Sequence, residues 1–303
     1  MTYASTFRPG LFDAQVALVT GGGTGIGRCI AHELASLGAT VVIAARREDQ
    51  LAATVKEITD VGGAASAYPV NIRDEASVEE LVARVVAEHG GVDLLVNNAG
   101  GQFPSPAEQI SPNGWRTVID LNLTGTFLMT RAVFNASMAQ RGGAVVTITA
   151  DARNGFPGMV HTGAARAGVE NMTKTLAVEW ANRHVRVNAV APGTIYSSGM
   201  DTYAEEFQRI AAMGARRIPA GRVGTESEVS AAVCFLLSPA AGFITGETLR
   251  VDGGAPLQKV PMIDVGAVQS TPAFDGFHLA RDIPEYWSAP PEPSGESAGE
   301  NAE

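Results

Sequence analysis

At 303 residues, 45% hydrophobic and 18% charged, the chain has a globular composition with ample material for a large core. Its formal net charge of −10 repels phosphate backbones, which excludes nucleic acid as an expected partner and requires local positive groups for any phosphate it binds. There is no apolar signal-like run at the start, no segment with the ~20 apolar residues that span a bilayer, and no peroxisomal address in Asn301-Ala302-Glu303, so a cytoplasmic protein without a membrane partner is expected.

Short β-branched runs alternate with helical patterns, the signature of βαβ units and a parallel sheet. Residues 16–20 are a continuous apolar run, as in a strand buried on both faces. A helix over 25–37 ends at Gly38. Strands follow at 40–44, 65–70 and 92–96, separated by helices at 48–61 and 77–89, the latter opened by a capping box at Ser77 and Glu80. A long helix spans 115–138, a strand 144–149 and a helix 162–182 with Val169, Met172, Leu176 and Trp180 along one side. A strand at 185–190, a helix at 226–237 and a strand at 248–251 complete the pattern. This is an α/β class: one Rossmann-type, doubly wound parallel sheet of about seven strands, residues 1–255, followed by an extension over 256–303. The extension is rich in proline and its small, polar, acidic end reads as disordered, whereas Phe274, Phe277, Tyr286 and Trp287 suit a cover for the cleft or a neighbouring subunit. Cys29 and Cys234 belong to no CxxC or Cys/His cluster; they read as small buried hydrophobes, and no metal is expected.

Thr20-Gly-Gly-Gly-Thr-Gly-Ile-Gly27 lies between a buried strand and a helix. Gly21, Gly25 and Gly27, with Thr24 and Ile26, match the turn that sets a dinucleotide pyrophosphate on the amides of a helix N-terminus. An acidic residue at the end of the second strand would select a free ribose 2′-OH; Arg46 and Arg47 stand there instead and suit a 2′-phosphate, so NADP(H) is the expected cofactor.

That turn, Asn97-Asn-Ala-Gly100 after the fourth strand, Asn122 in a long helix and Ala191-Pro-Gly193 after the sixth strand, in this order, resemble the short-chain dehydrogenase/reductase family over about residues 10–255. The resemblance implies hydride transfer, a homotetramer, and further cofactor contacts from Asn71, Ile72, Asn98, Ala99, Gly100, Arg166, Pro192, Gly193 and Ile195. It also implies an Asn–Ser–Tyr–Lys tetrad, from which this sequence departs. The Tyr and Lys positions hold Thr162 and Arg166, still on one helix face but without an acid that ionises near neutral pH. The Ser position falls on Thr149 by spacing or Ala150 by strand pattern. With 101–108, 191–197 and 235–246, the stretch His161 to Lys174 resembles the peroxisomal trans-2-enoyl-CoA reductase branch and, more distantly, 2,4-dienoyl-CoA reductases. These reduce a C=C bond conjugated to a thioester with NADPH.

That reaction needs donors for an enolate oxygen, for which Thr162 and Thr149 are candidates, and a proton at Cα. Tyr196 is the first candidate for the proton; Tyr203, His161 and water relayed through Asn122 are the others, although His161 at a helix start reads more simply as a cap or surface residue. Residues 196–218 read as a lid whose Met200, Phe207, Ile210 and Met213, between Gly199 and Gly214, suit an acyl chain, with Arg216 and Arg217 placed for coenzyme A phosphates. The expected partner is thus an acyl thioester. The competing readings are a carbonyl reductase or alcohol dehydrogenase with a relocated proton donor, and a nucleotide-binding protein without turnover.

Overall fold

The computed structural model describes residues 2–215, 218–257 and 269–288. Arg216, Arg217 and the acidic end lie outside the described residues. Seven parallel strands run in the order β3-β2-β1-β4-β5-β6-β7: β1 Val16–Thr20, β2 Thr40–Ala45, β3 Ala64–Pro69, β4 Leu94–Asn97, β5 Gly143–Ile148, β6 Val185–Pro192 and β7 Thr248–Val251. All five β1 residues are buried, because a central parallel strand is covered on both faces. On one face lie α1 (Gly25–Ser36), α2 (Glu48–Asp60) and α9 (Glu226–Leu237), packed through Ile30, Leu34, Leu51, Val229 and Val233. On the other lie α3 (Glu75–His89), α5 (Gly125–Val133) and α7 (Val160–Glu179), packed through Val78, Val85, Met129, Val133 and Leu176. The chain turns back between β1 and β4, so the crevice at the carboxyl ends of these strands is the place for a ligand. Among the described residues no helix is long and apolar enough to cross a membrane.

Two helices differ from the sequence reading for local reasons. α3 starts at Glu75, before the expected capping box, because Asp74 accepts the Ser77 N–H and so takes the cap. The expected long helix is longer than its pattern and interrupted: α4 (Pro112–Ile119), α5 and α6 (Ala139–Arg141) are joined by widened π-turns at Asp120–Thr124 and Phe134–Met138. In the first turn Asn122 donates from Nδ2 to Val118 O at 2.8 Å, taking a carbonyl the helix ladder would otherwise use. In the second, Ser137 Oγ accepts from Val92 N at 2.9 Å and donates to Val92 O at 3.1 Å, tying the helix to the approach to β4.

Residues 269–288 run back across the body. Thr225 Oγ1 donates to Phe274 O at 2.6 Å, and Ser227 Oγ accepts from the amides of Gly276 and Phe277. Phe277 is buried against Tyr3 and Cys29 beside α1. Further on, α10 (Glu285–Ser288) places Trp287, 1% exposed, against Ala212 of α8 (Glu205–Ala215).

Candidate active site

The cradle at α1 is made of backbone. Its N-cap, Thr24, makes no side-chain capping bond, so the first-turn amides are left for a ligand. Gly25 has φ +55°, a conformation that L side chains rarely adopt. A Cβ on Gly27 would stand 2.3 Å from both Asn98 Nδ2 and Gly21 O, so only glycine lets the helix start this close to β4. The neighbouring strand ends brace the turn: Asn98 Nδ2 donates to Thr20 O and Gly21 O at 3.1 and 3.2 Å, and Thr20 Oγ1 accepts from the amides of Asn98 and Ala99 at 3.0 Å. Asn98 and Ala99 thus shape the cradle. Arg46 and Arg47 are exposed just beyond β2, Arg47 as the N-cap of α2. Asn71 and Ile72 lie past the end of β3; Asn71 Oδ1 accepts from Arg73 N, and Ile72 is buried against Gly125.

The other end of the crevice is made of side chains. Arg166, 7% exposed, donates from Nη1 to Ile148 O at 2.8 Å, while its buried Nε has no partner among the described residues. A Cβ on Gly100 would stand 2.6 Å from Arg166 Nη2 and 2.7 Å from Asn122 Oδ1, so the β4 loop lies directly on this cation and its neighbouring amide. Burial pushes the Arg166 pKa down to about 10, which leaves it charged at neutral pH. The Asn122 amide is committed: it donates to Gly101 O and Val118 O and accepts from Gly101 N at 3.2 Å. It anchors the 100–101 loop and has no donor left for a water relay. Thr149 donates its hydroxyl to Val190 O at 3.2 Å, which spends its single proton on β6. Thr162 is buried, with Oγ1 3.3 Å from His161 Nδ1.

His161 is not on the surface. It is fully buried, its Nδ1 accepts the Thr162 N–H at 2.8 Å, and its ring stands edge-on to Phe103 at 4.6 Å. That acceptor role puts the imidazole proton on Nε2, which is buried without a partner among the described residues. Burial also lowers its pKa, keeping it neutral at physiological pH.

After β6, Gly193 donates its N–H to Val251 O at 2.9 Å and Ile195 is buried, bridging to Gly224. Tyr196 is turned to the C-terminal segment: its ring meets Trp287 at 5.7 Å, and the charges acting on its phenol come from Arg281 and Asp201. Burial raises its pKa. Tyr203 accepts from Gln102 Nε2 at 2.9 Å, linking the lid to the β4 loop. Sequence reasoning missed Ser198 and Glu226. A Cβ on Gly25 would have Ser198 Oγ at 3.5 Å and Glu226 Oε1 at 3.8 Å, so both stand across from the cradle. The only sequence signal was an acidic residue opening α9, which reads as an ordinary helix start.

A family model described as "Enoyl-(Acyl carrier protein) reductase" matches residues 21–256. A probable 2,4-dienoyl-CoA reductase [(2E)-enoyl-CoA-producing] of Bacillus subtilis (strain 168) is 35% identical over 252 residues, 82% of this chain and 99% of the relative. The 3-oxoacyl-[acyl-carrier-protein] reductase FabG of Salmonella typhimurium is 39% identical over 245 residues, 80% of this chain and 98% of the relative. The solved structure of the citronellol catabolism dehydrogenase AtuB of Pseudomonas aeruginosa PAO1 superposes with a TM-score of 0.76 at 52% identity, over 84% of this chain and 99% of that one. With the braced glycine turn, the seven-stranded order and the Asn122–Gly100–Arg166 contact, these matches make the chain a member of the short-chain dehydrogenase/reductase family of oxidoreductases.

Proposed function

We propose that this protein uses NADPH to reduce the C=C bond of a trans-2-enoyl thioester, with coenzyme A as the carrier. The observation that carries the reading is the pairing on α7: Arg166 is a buried cation whose Nε has no partner among the described residues, and position 162, one turn before it, holds a hydroxyl that does not ionise near neutral pH. Such a site can fix and polarise, but it lacks the acid that would protonate the alkoxide formed when a carbonyl is reduced. The names of the Bacillus relative and the family model, both concerned with enoyl thioesters, support the same reading.

The residues fit the dinucleotide. The first-turn amides of α1, behind Gly21, Thr24, Gly25, Ile26 and Gly27, would hold its pyrophosphate, Arg46 and Arg47 a 2′-phosphate, and Arg166 the nicotinamide ribose. When bound, the reduced nicotinamide supplies the hydride for Cβ. Asn122 keeps the 100–101 loop against Arg166, so the cation does not reorganise during the reaction. The Thr162 hydroxyl is the donor we assign to the thioester oxygen as negative charge builds there; its proton turns to that oxygen from His161 Nδ1, which lies 3.3 Å away and already accepts the Thr162 N–H. Tyr196 is held by Trp287, so we assign the Cα proton to water admitted to the cleft. Subunits are expected to associate as a tetramer in the cytoplasm.

The test is oxidation of NADPH by the pure protein with crotonyl-CoA and, separately, acetoacetyl-CoA. Turnover of the first alone is expected. Turnover of the second alone, or of a citronellol-like alcohol with NADP+, would replace this reading with a carbonyl or alcohol oxidoreductase, the activity that the names of FabG and AtuB suggest.

A further inference from the structure

The family match ends at residue 256, but the described residues beyond it touch the body at both ends of the crevice wall. Arg222 holds the start of the segment through Thr271 O at 2.7 Å and Pro272 O at 2.9 Å. Thr225 and Ser227 hold its middle. Its far part is joined to the lid: Arg281 pairs with Asp201, Tyr286 donates to Gln208 Oε1 at 3.2 Å, and Trp287 is buried under α8. Residues 269–288 are thus a strap that fastens the lid to the α1–α9 face.

Between strap and body lies a cavity of about 40 Å³ lined by Tyr196, Ser197, Glu226, Asp275, Arg281 and Ile283. Two of these reach the cradle as well: a Cβ on Gly25 would have Glu226 Oε1 and Ser197 Oγ each at 3.8 Å. Ser197 and Glu226 therefore face both the α1 turn and the space beside Arg281. Glu226 and Asp275 put carboxyl groups beside this space, in a chain of net charge −10, so a cation there would offset them for a pyrophosphate resting on the α1 amides. Arg28 is close, but its Nε and Nη2 are bound to Glu57 at 2.8 Å each. Arg281 is half-exposed, and Asp201, its one ion-pair partner among the described residues, is equally exposed, so Arg281 can change partner at little cost.

We propose that the strap is the outer wall of the dinucleotide site and that Arg281 supplies the cation for the pyrophosphate, an assignment that rests on the dinucleotide reading above. The guanidinium leaves Asp201 for the phosphate oxygens when the cofactor is bound. The strap thereby adds to the family core a contact that the core does not contain.

The experiment measures NADPH and NADH dissociation constants and release rates by stopped-flow fluorescence on the full chain. Arg281→Ala is expected to weaken both nucleotides by about tenfold, the scale of one charge-assisted hydrogen bond, because the pyrophosphate is common to them. Asp201→Ala is expected to leave binding unchanged or tighter, since it frees Arg281. Arg46→Asp, in contrast, should weaken NADPH alone. Arg281→Ala affinities within about twofold of wild type would overturn the proposal. So would equal losses in Arg281→Ala and Asp201→Ala, which would make Arg281 a lid latch only. If the wild-type chain bound neither nucleotide, the dinucleotide reading itself would fall, a result distinct from the other two.

Discussion

The two ends of the crevice are built on opposite plans. At α1 the cradle is backbone, and its bracing groups are paired: Asn98 fills its donors on Thr20 O and Gly21 O, and Thr20 Oγ1 takes two amides. At α7 the walls are side chains, and two of them keep buried polar atoms unpartnered among the described residues, Arg166 Nε and His161 Nε2. A buried polar group without a partner costs stability, so it persists where something other than stability selects it. On the proposed reading, the first end would recognise by shape and the second would hold electrostatic energy in reserve for a reaction.

The sharpest way to break this contrast is Arg166→Met. If the charge is held for chemistry, kcat/KM should fall by about 10²–10³, the cost of removing one pre-organised donor. The melting temperature should stay level or rise, because an unpaired buried charge gives way to an apolar chain of similar volume. A large drop in melting temperature with the rate intact would turn Arg166 into a structural residue and remove the distinction between the two ends.

The same contrast explains what was legible in the sequence. Backbone recognition requires glycine at fixed places, so the spacing of Gly21, Gly25 and Gly27 revealed the cradle, and the alternation of apolar runs revealed the sheet. Side-chain chemistry requires three-dimensional partners. By sequence Thr149 is as good a donor as Thr162, but its hydroxyl is engaged by Val190 O; His161 reads as a cap or a surface residue, yet it is buried against Phe103. Asn122 is placed in its helix by sequence, but its side-chain bonds to the Gly101 loop, 21 residues earlier, are visible only in the fold. Glu226 was invisible because its meaning comes from Gly25, about 200 residues earlier, brought opposite by the packing of α1 on α9.

Glu226 is also where the cradle end carries a titration. Burial pushes its pKa up to about 7, partly offset by Arg28 and by the Ser198 amide. The folded state therefore holds a proton that the unfolded chain gives up near its usual value of 4.5, and the associated stability is lost as pH rises from there to about 7. Above that pH the carboxylate faces the cradle as an anion. NADPH affinity is expected to weaken by about fivefold between roughly pH 6 and pH 8, and the dependence should vanish in Glu226→Gln, which keeps an oxygen for the Ser198 amide. Glu226→Gln should also melt higher than wild type at about pH 8, with little difference near pH 5. An unaltered pH profile for binding in the variant would place the titrating group elsewhere and leave the cradle without a charge of its own.

The smallest effect is expected at Tyr196, which sits between the two ends. Its ring leans edge-on against Trp287, and its phenol feels Arg281 and Asp201, not the Thr162–Arg166 pair. Burial raises its pKa, so the phenol keeps its proton throughout the neutral range. As a wall residue it contributes its ring, and Tyr196→Phe retains that ring; turnover should then stay within about threefold of wild type, the scale of one neutral hydrogen bond. A loss of tenfold or more, with crotonyl-CoA affinity unchanged, would mean that the phenol reaches the substrate after the lid rearranges. In that case the proton source would belong to the lid and its strap, and the reacting end of the crevice would extend well beyond α7.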